Sequence, residues 1–190
     1  MTIVVLGVGA LGSHLVQLVR NEKVDIKVID FDKVEQKNVL SQFHGKPSVG
    51  KNKVDALKQT MDFLFKRQIA TVGHKLVENN IDQLLKGATL IVDCLDNAVS
   101  RKLVQDYARK HGVPCLHGAL APAGEFGRSV WDADFVIDSE VGAGAATCED
   151  GEFLPFIALT AAYMARSVQI FLKTGKKIGF SISPVGAFAI

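Results

Sequence analysis

The chain has 190 residues, of which 48% are hydrophobic and 22% are charged, so it is long enough to bury one sizeable core. A formal net charge of +2, with lysines and arginines scattered along the chain, excludes the strongly basic class of nucleic-acid-binding proteins. The N-terminus lacks a basic start and a long apolar run, so we expect a single cytoplasmic domain over residues 1–190 that is not attached to a membrane.

The first thirty residues carry the pattern of a strand, a glycine turn, a helix and a second strand. A β-branched run predicts a strand at Thr2–Leu6, residues 13–20 have helical spacing, and Asp25–Ile29 is a second apolar run. Residues 7–12, GVGALG, fit the motif GxGxxG between the first strand and the helix. This context predicts a nucleotide-binding turn.

The three glycines and the acid after the second strand have distinct expected roles. Gly7 permits the tight turn, Gly9 lets the backbone approach phosphate, and Gly12 lets the helix pack closely on the strand. Asp30 ends the second strand, where a carboxylate can accept hydrogen bonds from ribose hydroxyls. The alternative is a simple tight turn followed by a solvated strand end.

The remainder of the chain continues the alternation of strands and helices after a polar segment, residues 33–52, that lacks periodicity and is long enough to suggest a functional loop. We expect helices at 53–65, 98–111 and 155–174, and strands at 69–72, 90–93, 113–116, 127–131, 135–137 and 178–183, the last at the sheet edge. Residues 142–150 form a predicted loop of small residues.

This order predicts an α/β fold with a doubly wound, Rossmann-like, mostly parallel sheet and additional C-terminal strands. In such a sheet a nucleotide lies above the carboxyl ends of the strands, where the strand order reverses. The longest apolar stretch, Phe153 to Leu172, is interrupted by Pro155, Arg166 and Gln169, so we expect a buried helix rather than a bilayer span. Part of it could cover a subunit interface, although the core alone explains it equally well.

Several further motifs follow in a fixed order after the glycine turn. They are GVGALGS at 7–13, DFDKVE at 30–35, NVLSQ at 38–42, VGKNK at 49–53, DCLDN at 93–97 with Arg101 following, and TCEDG at 147–151. In this order and spacing the chain resembles a compact member of the ThiF/MoeB/HesA family, the E1-like enzymes that activate carboxyl termini by adenylation. The resemblance covers nearly the whole chain.

The resemblance implies a role for several side chains in binding ATP and Mg²⁺. It implies that Asp30 holds the ribose, that Asn38 and Lys53 face the triphosphate, and that Asp96 holds Mg²⁺ beside the α-phosphate. Asp32 and Gln42 join Gly7, Gly9, Gly12 and Asp30 in the implied nucleotide-binding set. Each role has a simpler alternative, because Asn38 could cap a turn, Lys53 could be an exposed lysine, and Asp96 with Asn97 could cap a helix.

The family's activity supplies the expected partners. The resemblance implies adenylation of the C-terminal carboxylate of a ubiquitin-like or sulfur-carrier protein, and it favours a homodimer. No nucleic acid and no membrane is expected as a partner.

The three cysteines are an odd number at wide spacings, which fits neither a disulfide framework nor a CxxC metal site. Cys94 and Cys115 are expected to be small core residues. Cys148 occupies the place of a cysteine that joins a thiolated carrier in some ThiF-like proteins, so it is a candidate catalytic residue, with a structural role as the alternative. Many family members bind zinc through two CxxC pairs, which this chain lacks, so we predict no zinc site. His44, His74, His111 and His117 stand in no recognisable partner pattern.

Two departures from the family pattern leave alternatives open. Ser41 stands where the family commonly has a triphosphate-contacting arginine, and the helical arm that precedes the first strand in many members is not found before Thr2. Lys37, Lys46, Lys51 or Arg101 could supply the missing charge. The alternatives to an adenylating enzyme are a nucleotide-binding scaffold without turnover and, on the glycine turn alone, an NAD-dependent oxidoreductase.

Overall fold

The computed structural model describes residues 1–121, 124–137 and 151–190. In these ranges the strands are β1 (Thr2–Leu6), β2 (Asp25–Ile29), β3 (Ala70–Val72), β4 (Leu90–Asp93), β5 (Cys115–Leu120), β6 (Gly127–Trp131), β7 (Phe180–Ser183) and β8 (Gly186–Ala189). The α-helices are α1 (Ala10–Leu18), α2 (Lys53–Phe65), α3 (Ile81–Leu85), α4 (Ala98–His111) and α5 (Leu154–Thr174). Short 3-10 helices lie at Gln36–Leu40, Lys46–Ser48 and Asp132–Asp134.

The described strands form one sheet in the order β3-β2-β1-β4-β5-β6-β7-β8. Strands β1 to β5 pair in parallel, and β5 to β8 pair antiparallel. The strand order reverses between β1 and β4, so the two crossovers leave a crevice above the carboxyl ends of these strands. The predicted fold class, a mostly parallel Rossmann-like sheet with additional C-terminal strands, is confirmed.

Strand β1 shows why helices cover both faces of the sheet. Its side chains alternate, with Ile3 and Val5 packing into one core cluster and Val4 and Leu6 into another. Helices α1, α2 and α5 supply the first cluster, whereas α3 and α4 supply the second. Because β1 is buried on both faces, its position between the two cores fixes the glycine turn that follows it.

Among the described helices, α5 has the length and apolar composition of a membrane span. It packs against α1 and against β5, β6 and β7, and Ile157, Met164 and Val168 on this face are fully buried. A core helix of a soluble protein passes the same length and composition test, so the helix is weak evidence for a membrane. Its packing agrees with the prediction of a buried helix.

The structure corrects some of the predicted elements. The strand predicted at 135–137 is wrong, since these residues follow a 3-10 helix and pair with none of the described strands. The ring of Phe135 instead stacks on His117, and its carbonyl accepts a hydrogen bond from Gln105. Helix α3 was missed because five residues show too little periodicity. Strand β8, rather than the strand predicted at 178–183, forms the sheet edge. The loop predicted at 142–150 lies outside the described residues.

Candidate functional site

A cleft lies at the carboxyl ends of β1, β2 and β4, at the reversal of strand order. Its volume is about 580 Å³, counting the open solvent at its mouth. It brings together six of the predicted site residues, which are Gly7, Gly9, Asp30, Asp32, Lys53 and Asp96. Gly12, Asn38 and Gln42 are not among the described residues that line it.

The glycine turn packs as the motif predicts. Gly7 has a φ of +81°, and its N–H donates to the Ile29 carbonyl at 2.9 Å, so the turn closes against the end of β2. A Cβ on Gly12 would lie 1.9 Å from the Gly7 carbonyl oxygen, which shows how closely α1 approaches the turn. A Cβ on Gly9 would meet Gln42 Nε2 at 3.8 Å as its nearest described atom. The backbone at Gly9 is therefore open to a ligand.

The N-terminus of α1 borders this turn. Gly9 is the N-cap residue, and among the described residues no side chain caps the helix and none in its first turn is acidic. Unpaired backbone N–H groups and the positive end of the helix dipole stabilise a bound anion. The helix start therefore suits a phosphate group.

The Asp30 carboxylate fixes the turn from the end of β2. Its Oδ2 accepts the Val8 N–H at 2.8 Å, and its Oδ1 accepts the Asp32 N–H at 2.9 Å. Burial raises the pKa of Asp30 above its usual range, while these N–H groups and the charge of Lys53 act in the opposite direction. Each carboxylate oxygen keeps a second lone pair, so Asp30 can hold the turn and accept hydrogen bonds from a ligand at the same time.

Lys53 is held at the cleft by Asp32. Its Nζ lies 3.1 Å from Asp32 Oδ2, and its backbone N–H donates to the Asp32 carbonyl at 2.8 Å. Lys53 is only 7% exposed although it begins helix α2, so it is not the ordinary exposed lysine of the alternative interpretation. The arrangement presents one nearly buried ammonium group to the cleft.

The turn after β4 separates the roles of Asp96 and Asn97. Asn97 is the N-cap of α4, and its Oδ1 accepts the Ser100 N–H at 2.8 Å. Asp96 is exposed at the cleft and is not used as the cap. A carboxylate oxygen in this position is a ligand of the kind that Mg²⁺ prefers.

The loop between β2 and α2 places two predicted residues beside the cleft instead of in it. Asn38 is 6% exposed, and its Oδ1 accepts the Glu35 N–H at 2.8 Å in a capping box of the 3-10 helix. The structure thus shows the capping role that the sequence left open. Gln42 is buried near Gly9, and Ser41, where the family commonly has arginine, is 1% exposed.

His44 is a buried residue of the same loop that the sequence did not identify. Its Nε2 lies 2.9 Å from the Val8 carbonyl, and since a carbonyl only accepts, the proton is on Nε2. Burial lowers the pKa of His44 to about 4, and the charges of Lys53 and His14 act in the same direction. His44 Nδ1 and Gln42 Oε1 are buried acceptors without a hydrogen-bond partner among the described residues.

The cations that could replace the missing arginine are not among the described residues that line the cleft. These cations are Lys37, Lys46, Lys51 and Arg101. Lys51 donates to Gln59 at 2.8 Å, and Arg101 donates to the Gly118 carbonyl at 2.7 Å. The cleft is instead lined by His74 and Lys75, which follow β3. Their position after a parallel strand was the signal that could have identified them, because carboxyl ends of parallel strands share one sheet edge.

The two described cysteines differ in position, since Cys115 is buried in the core and Cys94 is partly buried at the cleft. Desolvation raises the pKa of both thiols well above the usual range, and the charge of Asp93 adds to the effect. A thiol that stays protonated is a poor nucleophile. The candidate catalytic Cys148 lies outside the described residues.

Comparison with known proteins agrees with this geometry. The profile of the ThiF family matches residues 1–137. The sulfur carrier protein ThiS adenylyltransferase of Bacillus subtilis is 32% identical over 61% of this chain and 36% of its own length. The SAMP-activating enzyme E1 of Haloferax volcanii is 30% identical over 62% of this chain and 45% of its own length. The chain thus spans less than half the length of these two relatives.

The fold is shared with a crystal structure of E. coli MccB with ATP. The TM-score is 0.78 and the sequence identity is 16%, over all of this chain and 62% of that chain. Since the family profile covers well over half of the sequence, the chain belongs to the ThiF family.

Proposed function

We propose that the chain is an E1-like adenylyltransferase domain that uses ATP and Mg²⁺ to adenylate the C-terminal carboxylate of a sulfur-carrier or ubiquitin-like protein. The observation that carries this proposal is the convergence of the uncapped α1 N-terminus, Asp30, Lys53 and Asp96 on one cleft. The relatives support the substrate class, because their names describe a ThiS adenylyltransferase and a SAMP-activating enzyme.

In the proposed reaction a carboxylate oxygen of the carrier attacks the α-phosphorus of ATP. The new bond joins this oxygen to phosphorus, the bond from the α-phosphorus to the bridging oxygen breaks, and pyrophosphate leaves with that oxygen. The products are an acyl-adenylate and pyrophosphate. Catalysis of this step needs alignment of the reactants and neutralisation of phosphate charge, not a protein nucleophile.

The cleft residues have separate roles in this proposal. The remaining lone pairs of Asp30 accept the ribose hydroxyls, and the backbone at Gly9 and the start of α1 receive the phosphates. Lys53, restrained by Asp32, supplies a fixed positive charge. Asn38 and Gln42 lie in the loop beside the glycine turn, and a contact of either side chain with the nucleotide stays a prediction.

Magnesium fits the exposed carboxylate of Asp96, which the Asn97 cap leaves available. Within the described residues no group of three or more His, Cys, Asp and Glu side chains could hold a metal ion. Mg²⁺ in phosphate sites commonly takes one or two carboxylates and draws its other ligands from phosphate and water. When bound, the ion would neutralise charge on the phosphate oxygens.

For the organisation of the protein we propose one domain over residues 1–190, a cytoplasmic location and a homodimer. The absence of a zinc site stays a prediction. A role for Cys148 in joining a thiolated carrier also stays a prediction.

ATP–pyrophosphate exchange tests the activity. The probe is a ThiS-type sulfur carrier with a free C-terminal carboxylate, and the control is the same carrier with a C-terminal carboxamide, which cannot attack. We expect exchange with the carboxylate alone, and a loss of about a hundredfold in Lys53→Gln. Lys51→Gln is the matched control, because Lys51 pairs with Gln59 away from the cleft.

The outcomes separate the candidate functions. Exchange that persists in Lys53→Gln would remove Lys53 from the mechanism. If ATP bound but neither a sulfur-carrier protein nor a ubiquitin-like protein gave ATP–pyrophosphate exchange, the adenylation proposal would be contradicted. A nucleotide-binding scaffold would then be favoured. Preferential binding of NAD would favour an oxidoreductase.

A further inference from the structure

A buried cluster of charged and polar side chains lies beneath the turn that carries Asp96. It consists of Asp93 at the end of β4, His117 on β5, Asp132 after β6 and Arg101 on α4. Asp93 and His117 are fully buried. None of these four residues is among the described residues that line the cleft.

Hydrogen bonds connect His117 to the turn in two steps. Asp93 Oδ2 lies 2.8 Å from His117 Nδ1, and because a carboxylate accepts, the ring carries its proton on Nδ1. The other carboxylate oxygen, Asp93 Oδ1, accepts the Leu95 N–H at 2.9 Å. Leu95 directly precedes Asp96, so the orientation of the Asp93 carboxylate sets the path of the backbone into the cleft.

The imidazole of His117 is held by stacking as well as by Asp93. Its ring stacks on Phe135 with centroids 4.0 Å apart and planes 5° apart. Its Nε2 lies 3.4 Å from Asp132 Oδ1, and neither of these two atoms has a hydrogen-bond partner among the described residues. The ring therefore cannot rotate without losing the stack or the hydrogen bond to Asp93.

The location of this cluster argues for more than stability. A buried pair of polar side chains is weak evidence for stability, because well-packed apolar side chains often stabilise a core equally well or better. An apolar residue at 117 would fill the space, but it could not orient the Asp93 carboxylate. The polar pair is placed where orientation matters, directly under the turn that supports Asp96.

We propose that His117 is a positioning residue for Asp96, acting through Asp93 and the Leu95 amide. This inference rests on the proposed function of Asp96 in binding Mg²⁺ with ATP. It assigns His117 no contact with the nucleotide. Partners that orient a metal-binding side chain typically change metal affinity or activity by about ten- to a hundredfold when they are removed.

The test compares His117→Leu with His117→Asn. Leucine fills the space without a donor, whereas the asparagine Nδ2 lies where the histidine Nδ1 was and can still donate to Asp93. We expect the Mg²⁺ concentration for half-maximal ATP–pyrophosphate exchange to rise about tenfold or more in the leucine variant and to recover in the asparagine variant. ATP binding without Mg²⁺ should stay unchanged in both.

A second readout needs neither nucleotide nor activity. Hydrogen exchange of the Leu95 amide should accelerate at least about tenfold in His117→Leu and stay near the wild-type rate in His117→Asn. His111→Leu is the matched control and should leave the exchange rate of the Leu95 amide unchanged. His111 is the last residue of α4, far along the helix from the Asp96 turn, and its exposed side chain lies 3.4 Å from the exposed Asp82 on α3.

The outcomes distinguish this inference from the proposed function. Unchanged Mg²⁺ dependence or unchanged Leu95 exchange in a folded leucine variant would overturn the positioning role. If that variant does not fold, His117→Gln replaces it, because the Gln amide reaches the Nε2 position and not Asp93. A Gln variant equal to wild type with an impaired Asn variant would contradict the proposal. If the wild-type protein showed no ATP–pyrophosphate exchange, adenylation would be refuted. The hydrogen-exchange measurement at the Leu95 amide would still test the positioning role.

Discussion

Replacing Gly12 by alanine tests the contact on which the glycine turn depends. The new Cβ would lie 1.9 Å from the carbonyl oxygen and 3.0 Å from the carbonyl carbon of Gly7. These are backbone atoms, so no side chain can rotate away. Reaching an ordinary contact of 3.4 Å requires α1 to move about 1.5 Å from the turn, which is the difference between the two distances.

This movement would pull apolar side chains of α1, such as Leu11 and Leu15, away from the core. Overpacking that shifts the backbone destabilises by about 1–3 kcal/mol, and the rigid contact places Gly12→Ala near the upper value. For a chain of this size about 3 kcal/mol corresponds to a decrease in Tm of roughly 6–12 °C. The turn that receives phosphate would be displaced in the same step.

Urea unfolding of Gly12→Ala, followed by circular dichroism, measures this effect. The control is Gly186→Ala on strand β8, where a Cβ would meet no described atom within 4 Å, so its free energy of unfolding should stay within about 0.5 kcal/mol of wild type. If Gly12→Ala unfolds at the wild-type urea concentration, the close approach of α1 to the turn is wrong.

Single changes at His44, Asn97 and Asp30 should each alter the stability of the fold. Because the pKa of His44 is lowered from 6.5 to about 4, the unfolded chain binds the proton more tightly. The free energy of unfolding should therefore be at its full value above pH 6.5 and fall by roughly 3 kcal/mol as the pH decreases to 4. Urea unfolding at several pH values measures this loss, which should be smaller in His44→Gln. Asn97→Ala removes the cap of α4 and should lower the free energy of unfolding by about 1 kcal/mol, whereas Asp96→Ala should leave it unchanged in the same urea assay. Asp30→Ala leaves two backbone N–H groups without their acceptor and should lower stability by about 2 kcal/mol or more, so equal melting temperatures in calorimetry would contradict its structural role.

The predicted site residues that the structure places at the cleft are those with local signatures. The glycine turn lies between a strand and a helix, and Asp30 directly follows the next strand, so chain order alone places them at one sheet edge. Asp96 follows a third strand of the same parallel set. Asn38 has an equally local signature, but the structure shows it capping a 3-10 helix.

The residues that the sequence missed depend on distant partners. His44 pairs with a backbone carbonyl 36 residues away, and His117 pairs with a carboxylate 24 residues away. Every residue has a backbone carbonyl, and a carboxylate 24 residues away forms no motif with a histidine. No spacing pattern in the sequence therefore identifies the partner of His44 or of His117. The strand predicted at 135–137 failed for the same reason, since stacking on His117 outweighs the local preference for a strand.

Calorimetric titration with ATP and with NAD, each in the presence of Mg²⁺, decides which nucleotide the cleft takes. We expect ATP to bind and NAD to bind much more weakly, and we expect Lys53→Gln to lose ATP affinity while Lys51→Gln retains it. NAD binding that exceeds ATP binding, or ATP affinity unaffected by Lys53→Gln, would contradict this expectation.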